Sequence, residues 1–216
     1  MDNVAARRQM VEQQIRTWEV LDPRVLEVFA RVPREIFVPP DYSELAFADA
    51  PIPIGFGQSM LSPKLQGRIL QALAIEATDR VLEIGTGTGY LSACMSLLGA
   101  SATAMDIRPE FTALAATNLA RVAQARVNLV TRDAFGAEPL GSYHAIAVTG
   151  SMPVYDARFE RALEVGGRLF AVVGTAPVMD AILVRRVDAA GWIRESLFET
   201  VIEPLMNAAP AQRFVF

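Results

Sequence analysis

Three observations predict a doubly wound α/β fold for this chain of 216 residues. Between residues 64 and 174, helix and strand patterns alternate five times, which calls for a mostly parallel sheet with helices on both faces and right-handed crossovers. A glycine-rich turn, "GTGTG" at 85–89, joins the first of those strands to its helix. Residues 181–201 read as two strands around "DAAG", an antiparallel C-terminal hairpin.

The elements follow in order. Val4, Val11, Ile15 and Trp18 recur at helical spacing, so 3–18 reads as one amphipathic helix. A second helix begins in "LDPRVLEVFARV", with Asp22 as N-cap and Pro23 in the first turn. "VPREIFVPPDY" breaks the pattern with three prolines. The long irregular segment "ELAFADAPIPIGFGQSMLSP" follows; a loop of that length in a compact domain is functional or disordered, and its aromatic and Ile residues argue against disorder. "KLQGRILQAL" is helical. The strands are "RVLEIG", "SATAMDI", "RVNLVTRD", "HAIAVTG" and "GRLFAVVG". The helices between them are "GYLSACMSLLG", "PEFTALAATNLARVA" and "ARFERALEVGG".

Composition excludes several classes. The hydrophobic fraction of 52% and charged fraction of 20% belong to a globular chain, not a disordered one. Twenty basic against 24 acidic residues leave a net charge of −4 with no basic block, so no nucleic-acid partner is expected. A single cysteine, Cys94, precludes an internal disulfide and fits a reducing compartment. No signal-peptide pattern opens the chain and no apolar run reaches the roughly 18–20 residues of a membrane span. A cytoplasmic protein with no membrane partner is expected, as a monomer.

The glycines at 85, 87 and 89 are spaced G-x-G-x-G, whereas a dinucleotide site wants G-x-G-x-x-G. Glu83, near the end of the preceding strand, suits a cation better than a phosphate. S-adenosyl-L-methionine fits: it carries a sulfonium and an ammonium and no phosphate, and glycines let the backbone approach it closely. Asp106, 21 residues after Gly85, falls where an acid holds ribose hydroxyls. Asp133 ends the third strand and faces the adenine amino group. The expected cofactor-binding set is Glu83, Gly85, Thr86, Gly87, Tyr90, Asp106, Ile107, Asp133 and Ala134, with S-adenosyl-L-homocysteine as product; no metal is expected.

The chain resembles the protein-L-isoaspartate O-methyltransferase family over most of its length. "VPREIFVP" (32–39), "AFADAPIPIGFGQSMLSP" (46–63), "VLEIGTGTGY" (81–90), "GGRLFAVVG" (166–174) and the terminal "RFVF" carry the resemblance. It implies a seven-stranded Rossmann-like methyltransferase sheet, S-adenosyl-L-methionine as donor, an isoaspartyl side-chain carboxylate as acceptor and a role in protein repair. One domain spanning 1–216 is expected: helices and substrate loop to 64, cofactor core over 65–175, hairpin beyond.

A carboxylate acceptor is ionised at neutral pH and needs no strong base. The protein must align reactants and exclude water, which can contribute roughly 7–11 kcal/mol. Ser59 and Ser62 are the candidate catalytic hydroxyls; Asp49, Gln58, Leu61, Gly150 and Ser151 are the candidate substrate contacts. The family loop that this segment resembles reads Gly-Gln-Thr-Ile-Ser-x-Pro. Here Ser59 replaces Thr, Met60 replaces Ile, and Leu61 replaces the serine. Three readings follow: Ser59 suffices with help from Ser62, the pocket takes another acceptor, or the chain binds cofactor without transferring the methyl. His144, Cys94, Trp18 and Trp192 read as structural.

Overall fold

The computed structural model describes residues 2–211; "RFVF" at 213–216 lies outside them. Helix α1 (Asn3–Met10) starts where the Asp2 carboxylate accepts the Val4 and Ala5 amides, and α2 (Pro23–Arg31) where Asp22 accepts the Arg24 amide. A short hairpin, β1 (Ile52–Gly55) and β2 (Gln58–Met60), lies within the segment read as irregular. Then come α3 (Pro63–Leu73), β3 (Arg80–Ile84), α4 (Tyr90–Leu98), β4 (Ser101–Asp106), α5 (Pro109–Leu119) and β5 (Val127–Thr131). The chain continues through β6 (Tyr143–Met152), α6 (Arg158–Arg161), β7 (Leu163–Thr175), β8 (Val178–Arg186) and β9 (Trp192–Thr200).

The seven-stranded sheet runs β5-β4-β3-β6-β7-β8-β9, with β3 to β7 parallel and β8 and β9 antiparallel. Successive residues of β3 feed opposite faces: Val81 packs into one apolar cluster with Phe29, Ile69 and Cys94, and Leu82 into another with Phe159 and Leu163. Coverage on both faces explains why β3, past the exposed Arg80 at its start, is apolar except at Glu83. Among the described residues no helix is long and apolar enough to cross a membrane.

Two expected helices differ. The N-terminal one widens into a π turn at Val11–Ile15 and tightens into a 3₁₀ turn at Arg16–Trp18. The Thr17 hydroxyl donates back to the Gln13 and Gln14 carbonyls, a bond that bends helices, while Met10, Val11 and Ile15 all stay buried. The expected helix over 157–167 stops after one turn, because Leu163 already pairs with Tyr143 in the sheet. The register then jumps to Ala145↔Arg168 through a bulge in which Gly166 has φ +82°.

The residues expected to be structural divide. His144 accepts the Arg80 amide on Nδ1 at 3.1 Å, at the sheet edge away from the glycine turn. Cys94 is fully buried, which pushes its thiol pKa up. Trp192 donates Nε1–H to the Glu160 carbonyl at 3.1 Å. Trp18 does not pack into the core: it is half exposed, with the Lys64 ammonium 4.2 Å from its ring centroid.

Candidate active site

The carboxyl ends of β3, β4 and β6 converge on the glycine turn. Gly85 sits at φ +95°, and a Cβ there would lie 2.6 Å from Thr149 Oγ1, so only glycine lets β6 approach this closely. Gly89, at φ +87°, lies against Ala115 of α5, where a Cβ would come within 3.0 Å. The turn is therefore pinned between β6 and α5, with its remaining surface facing a cleft.

Three acids lie around that cleft. Glu83 is 3% exposed and accepts the Ser92 hydroxyl; no lysine or arginine among the described residues pairs with it. Burial is the main cause that pushes its pKa up to about 8, opposed by the Ser92 hydroxyl and reinforced by Asp106. Asp106 accepts the Gly87 amide at 3.1 Å and the Arg108 amide at 3.0 Å; burial raises its pKa and these bonds oppose the shift. Asp133 accepts the Phe135 amide at 2.8 Å and Asn207 Nδ2 at 2.9 Å.

The nine residues expected to bind cofactor all line one of two adjoining cavities. Glu83, Gly85, Thr86, Gly87, Tyr90 and Asp106 line the first; Gly85, Asp106, Ile107, Asp133 and Ala134 line the second. Leu205 lies on both and partitions them. Thr86 Oγ1 is buried in the first with no hydrogen-bond partner among the described residues. That orphaned oxygen, the unpaired buried acid and the Cβ-free turn fit a cationic nucleoside ligand. The cavities are small, about 60 and 40 Å³.

The candidate substrate residues do not all gather. Gln58, Ser59, Leu61 and Gly150 line the first cavity. Ser59 donates its hydroxyl to Glu203 Oε1 at 2.6 Å. Leu61 is 7% exposed and packs into the core, while its carbonyl accepts Arg34 Nη2 at 2.8 Å. Ser62 stands at the N-cap position of α3, its side chain making no capping hydrogen bond, and lines a separate groove rather than the cofactor cavities. Asp49 is in neither cavity and pairs with Lys64 at 2.9 Å. Ser151 is buried in a clamp: its hydroxyl donates to the Ile202 carbonyl at 3.1 Å and its amide to the Glu203 carbonyl at 2.9 Å.

Four further residues shape the site. The Ser151 clamp draws residues 202–205 across the sheet edge and brings Glu203 to Ser59 and Leu205 to Gly150. Arg34 is fully buried; it donates to the Ala46 carbonyl at 3.0 Å, the Leu61 carbonyl and the Gln66 side chain, beneath the Tyr90 ring. Phe56, at the tip of the β1–β2 hairpin, meets Phe111 edge-on at 5.6 Å and the Arg108 guanidinium at 4.4 Å. The hairpin thus folds over the glycine turn. "VPREIFVP" and the loop's aromatics were the signals for Arg34 and Phe56; nothing local marked Glu203 or Leu205.

Comparison with known proteins places these features in a lineage. The family profile described as protein-L-isoaspartate(D-aspartate) O-methyltransferase (PCMT) matches residues 5–207. A protein-L-isoaspartate O-methyltransferase of Methanoculleus marisnigri is 38% identical over 168 residues, covering 77% of this chain and 76% of its own. Its counterpart from Rhodopseudomonas palustris is 33% identical over 201 residues, 92% of each chain. A Plasmodium falciparum structure in complex with S-adenosyl-L-homocysteine superposes with a TM-score of 0.80 at 17% identity, covering 92% of this chain and 97% of the other; that likeness concerns the fold.

Proposed function

We propose, from the premise that this chain belongs to the protein-L-isoaspartate(D-aspartate) O-methyltransferase family, that it transfers a methyl group to the side-chain carboxylate of isoaspartyl residues in damaged proteins. The methyl donor is S-adenosyl-L-methionine. When bound, it supplies a methyl group activated by a sulfonium. We read the whole chain as one methyltransferase domain, a monomer working in the cytoplasm.

The observation that carries the reading is Glu83: a buried acid with no basic partner, beside a Cβ-free turn and the orphaned Thr86 hydroxyl. Glu83 would face the cofactor's cationic amino-acid portion, Asp106 the ribose, and Asp133 with Ile107 and Ala134 the adenine. Thr86, Gly85, Gly87 and Tyr90 would complete the walls. The β1–β2 hairpin, with Ile54 above Gly87, excludes water from the reacting end. On the acceptor side, Gln58 and Gly150 would line the path of the carboxylate, and no side chain has to remove a proton from it.

A second reading is favoured by the two hydroxyl positions. Leu61 has no hydroxyl, and the single proton of Ser59 is committed to Glu203. A site so poor in donors accommodates an acceptor other than a bare carboxylate, or binds cofactor without transfer. S-adenosyl-L-homocysteine release with isoaspartyl peptide against its aspartyl isomer separates the two: isoaspartate-dependent release supports repair chemistry, and its absence with cofactor binding intact supports the second reading.

A further inference from the structure

A groove of about 530 Å³ adjoins the cleft, shares Leu61 with it, and is walled by Trp18, Leu65, Met179, Phe198 and Ile202. Its charges are unevenly satisfied. Lys64 is held by Asp49 at 2.9 Å, and Arg68 by Glu19 at 3.1 Å with its guanidinium 4.8 Å from the Phe198 ring centroid. The acids of the groove differ. Glu203 is half-buried and accepts the Ser59 hydroxyl, and Glu199 stands at the exposed rim; neither has a basic partner among the described residues.

Glu203 also bears on the acceptor. Ser59 faces the cleft with Glu203 at 2.6 Å behind it, so a carboxylate beside Ser59 sits one hydroxyl away from a second carboxyl group. Like charges so close oppose each other, and a cation paired with Glu203 from the groove side offsets that repulsion. An aromatic-walled groove whose two cations are already paired and whose two acids are not is complementary to a long aliphatic stem with a positively charged head.

We propose that this groove seats a lysine or arginine side chain adjacent to the isoaspartyl residue, its stem against Leu61, Leu65 and Ile202 and its charge on Glu203. The assignment rests on the isoaspartyl reading above. It makes Glu203 a specificity-determining residue and makes basic, isoaspartyl-containing segments the substrate class.

The test uses isoaspartyl peptides that differ only in the flanking residue, placed on either side: lysine, norleucine or glutamate. Binding is read without cofactor from Trp18 fluorescence, with Trp18→Phe as the control for the signal, and transfer from kcat/KM. The lysine peptide should be preferred over norleucine by about five- to tenfold at low salt, with glutamate below both, and the preference should shrink at about 1 M salt. Glu203→Gln keeps an oxygen for Ser59 and should bring the lysine-to-norleucine ratio close to one; its melting temperature reports whether it folds, and the salt series on wild type stands independently of it. Equal binding and turnover of the three peptides by wild type overturns the groove assignment and leaves the isoaspartyl reading in place. Failure of all three to bind or react overturns both.

Discussion

Glu83 links cofactor binding to pH. Its pKa is pushed up to about 8 by burial, so the unliganded site holds it mostly protonated at neutral pH. A ligand ammonium placed beside it, as both S-adenosyl-L-methionine and S-adenosyl-L-homocysteine carry, binds the ionised form. The ionised fraction of a group with pKa 8 is about 1% at pH 6 and about half at pH 8, so the apparent affinity should rise about 50-fold over that interval, or roughly 2.3 kcal/mol. Isothermal titration with S-adenosyl-L-homocysteine at pH 6, 7 and 8, in buffers of different ionisation enthalpy, measures both the affinity and the proton released on binding. Glu83→Gln should bind more weakly at pH 8 and lose the slope. The stability of the unliganded protein has a matching sign. The folded pKa lies above the ordinary 4.5, so the native state retains a proton that the unfolded chain gives up. This group's contribution is therefore present below about pH 4.5 and lost as pH rises through about 8. Glu83→Gln should gain melting temperature over wild type at pH 8, with the gap closing near pH 5. A flat affinity profile in wild type, or a slope that persists in Glu83→Gln, would refute the reasoning.

Two further outcomes follow from the residues that hold the loop over the site. Arg34→Met leaves the buried Ala46 and Leu61 carbonyls without their donor, at about 1–3 kcal/mol each, partly offset by relief of a buried cation; denaturant unfolding should show a net loss of about 2–4 kcal/mol, and limited proteolysis should find cleavage in 46–61 first. Phe56→Ala removes one edge-on aromatic contact and one exposed cation–π contact, so it should cost no more than about 1–2 kcal/mol in stability; stopped-flow binding should show the cofactor leaving several-fold faster, and an unchanged off-rate would mean that the hairpin does not cover the turn.

The parts of this molecule legible in its sequence are those whose cause is local. Strands β3, β4, β6 and β7 each carry an apolar run, and Glu83 is conspicuous because it interrupts one of them. The glycine spacing fixed the turn, and Asp106 and Asp133 were placed because they end or follow strands whose direction the alternation sets. Long-range closure was not legible. Glu203 reaches Ser59 across 144 residues through the Ser151 clamp, and no periodicity announces an acid that arrives on an irregular segment. Leu205 divides the cofactor cavity for the same reason. The terminal "RFVF", which resembles the family's closing strand, lies outside the described residues, and the family match ends at 207. Among the described residues, "IEPL" at 202–205 runs along β6, bridged at Ser151↔Pro204. Ser62 illustrates a different limit: one residue from Leu61 in sequence, it faces the other side because it begins a helix.

The most direct measurement is S-adenosyl-L-homocysteine release with an isoaspartyl peptide and its aspartyl isomer, for wild type and Leu61→Ser in parallel. Leu61 is a packed core residue, so its replacement costs about 2–4 kcal/mol and the assay belongs well below the variant's melting temperature. The account predicts release by wild type with the isoaspartyl peptide and none with the aspartyl isomer. Silence of wild type toward both, with cofactor binding intact, would contradict it; activity restored in Leu61→Ser alone would assign the loss to that side chain.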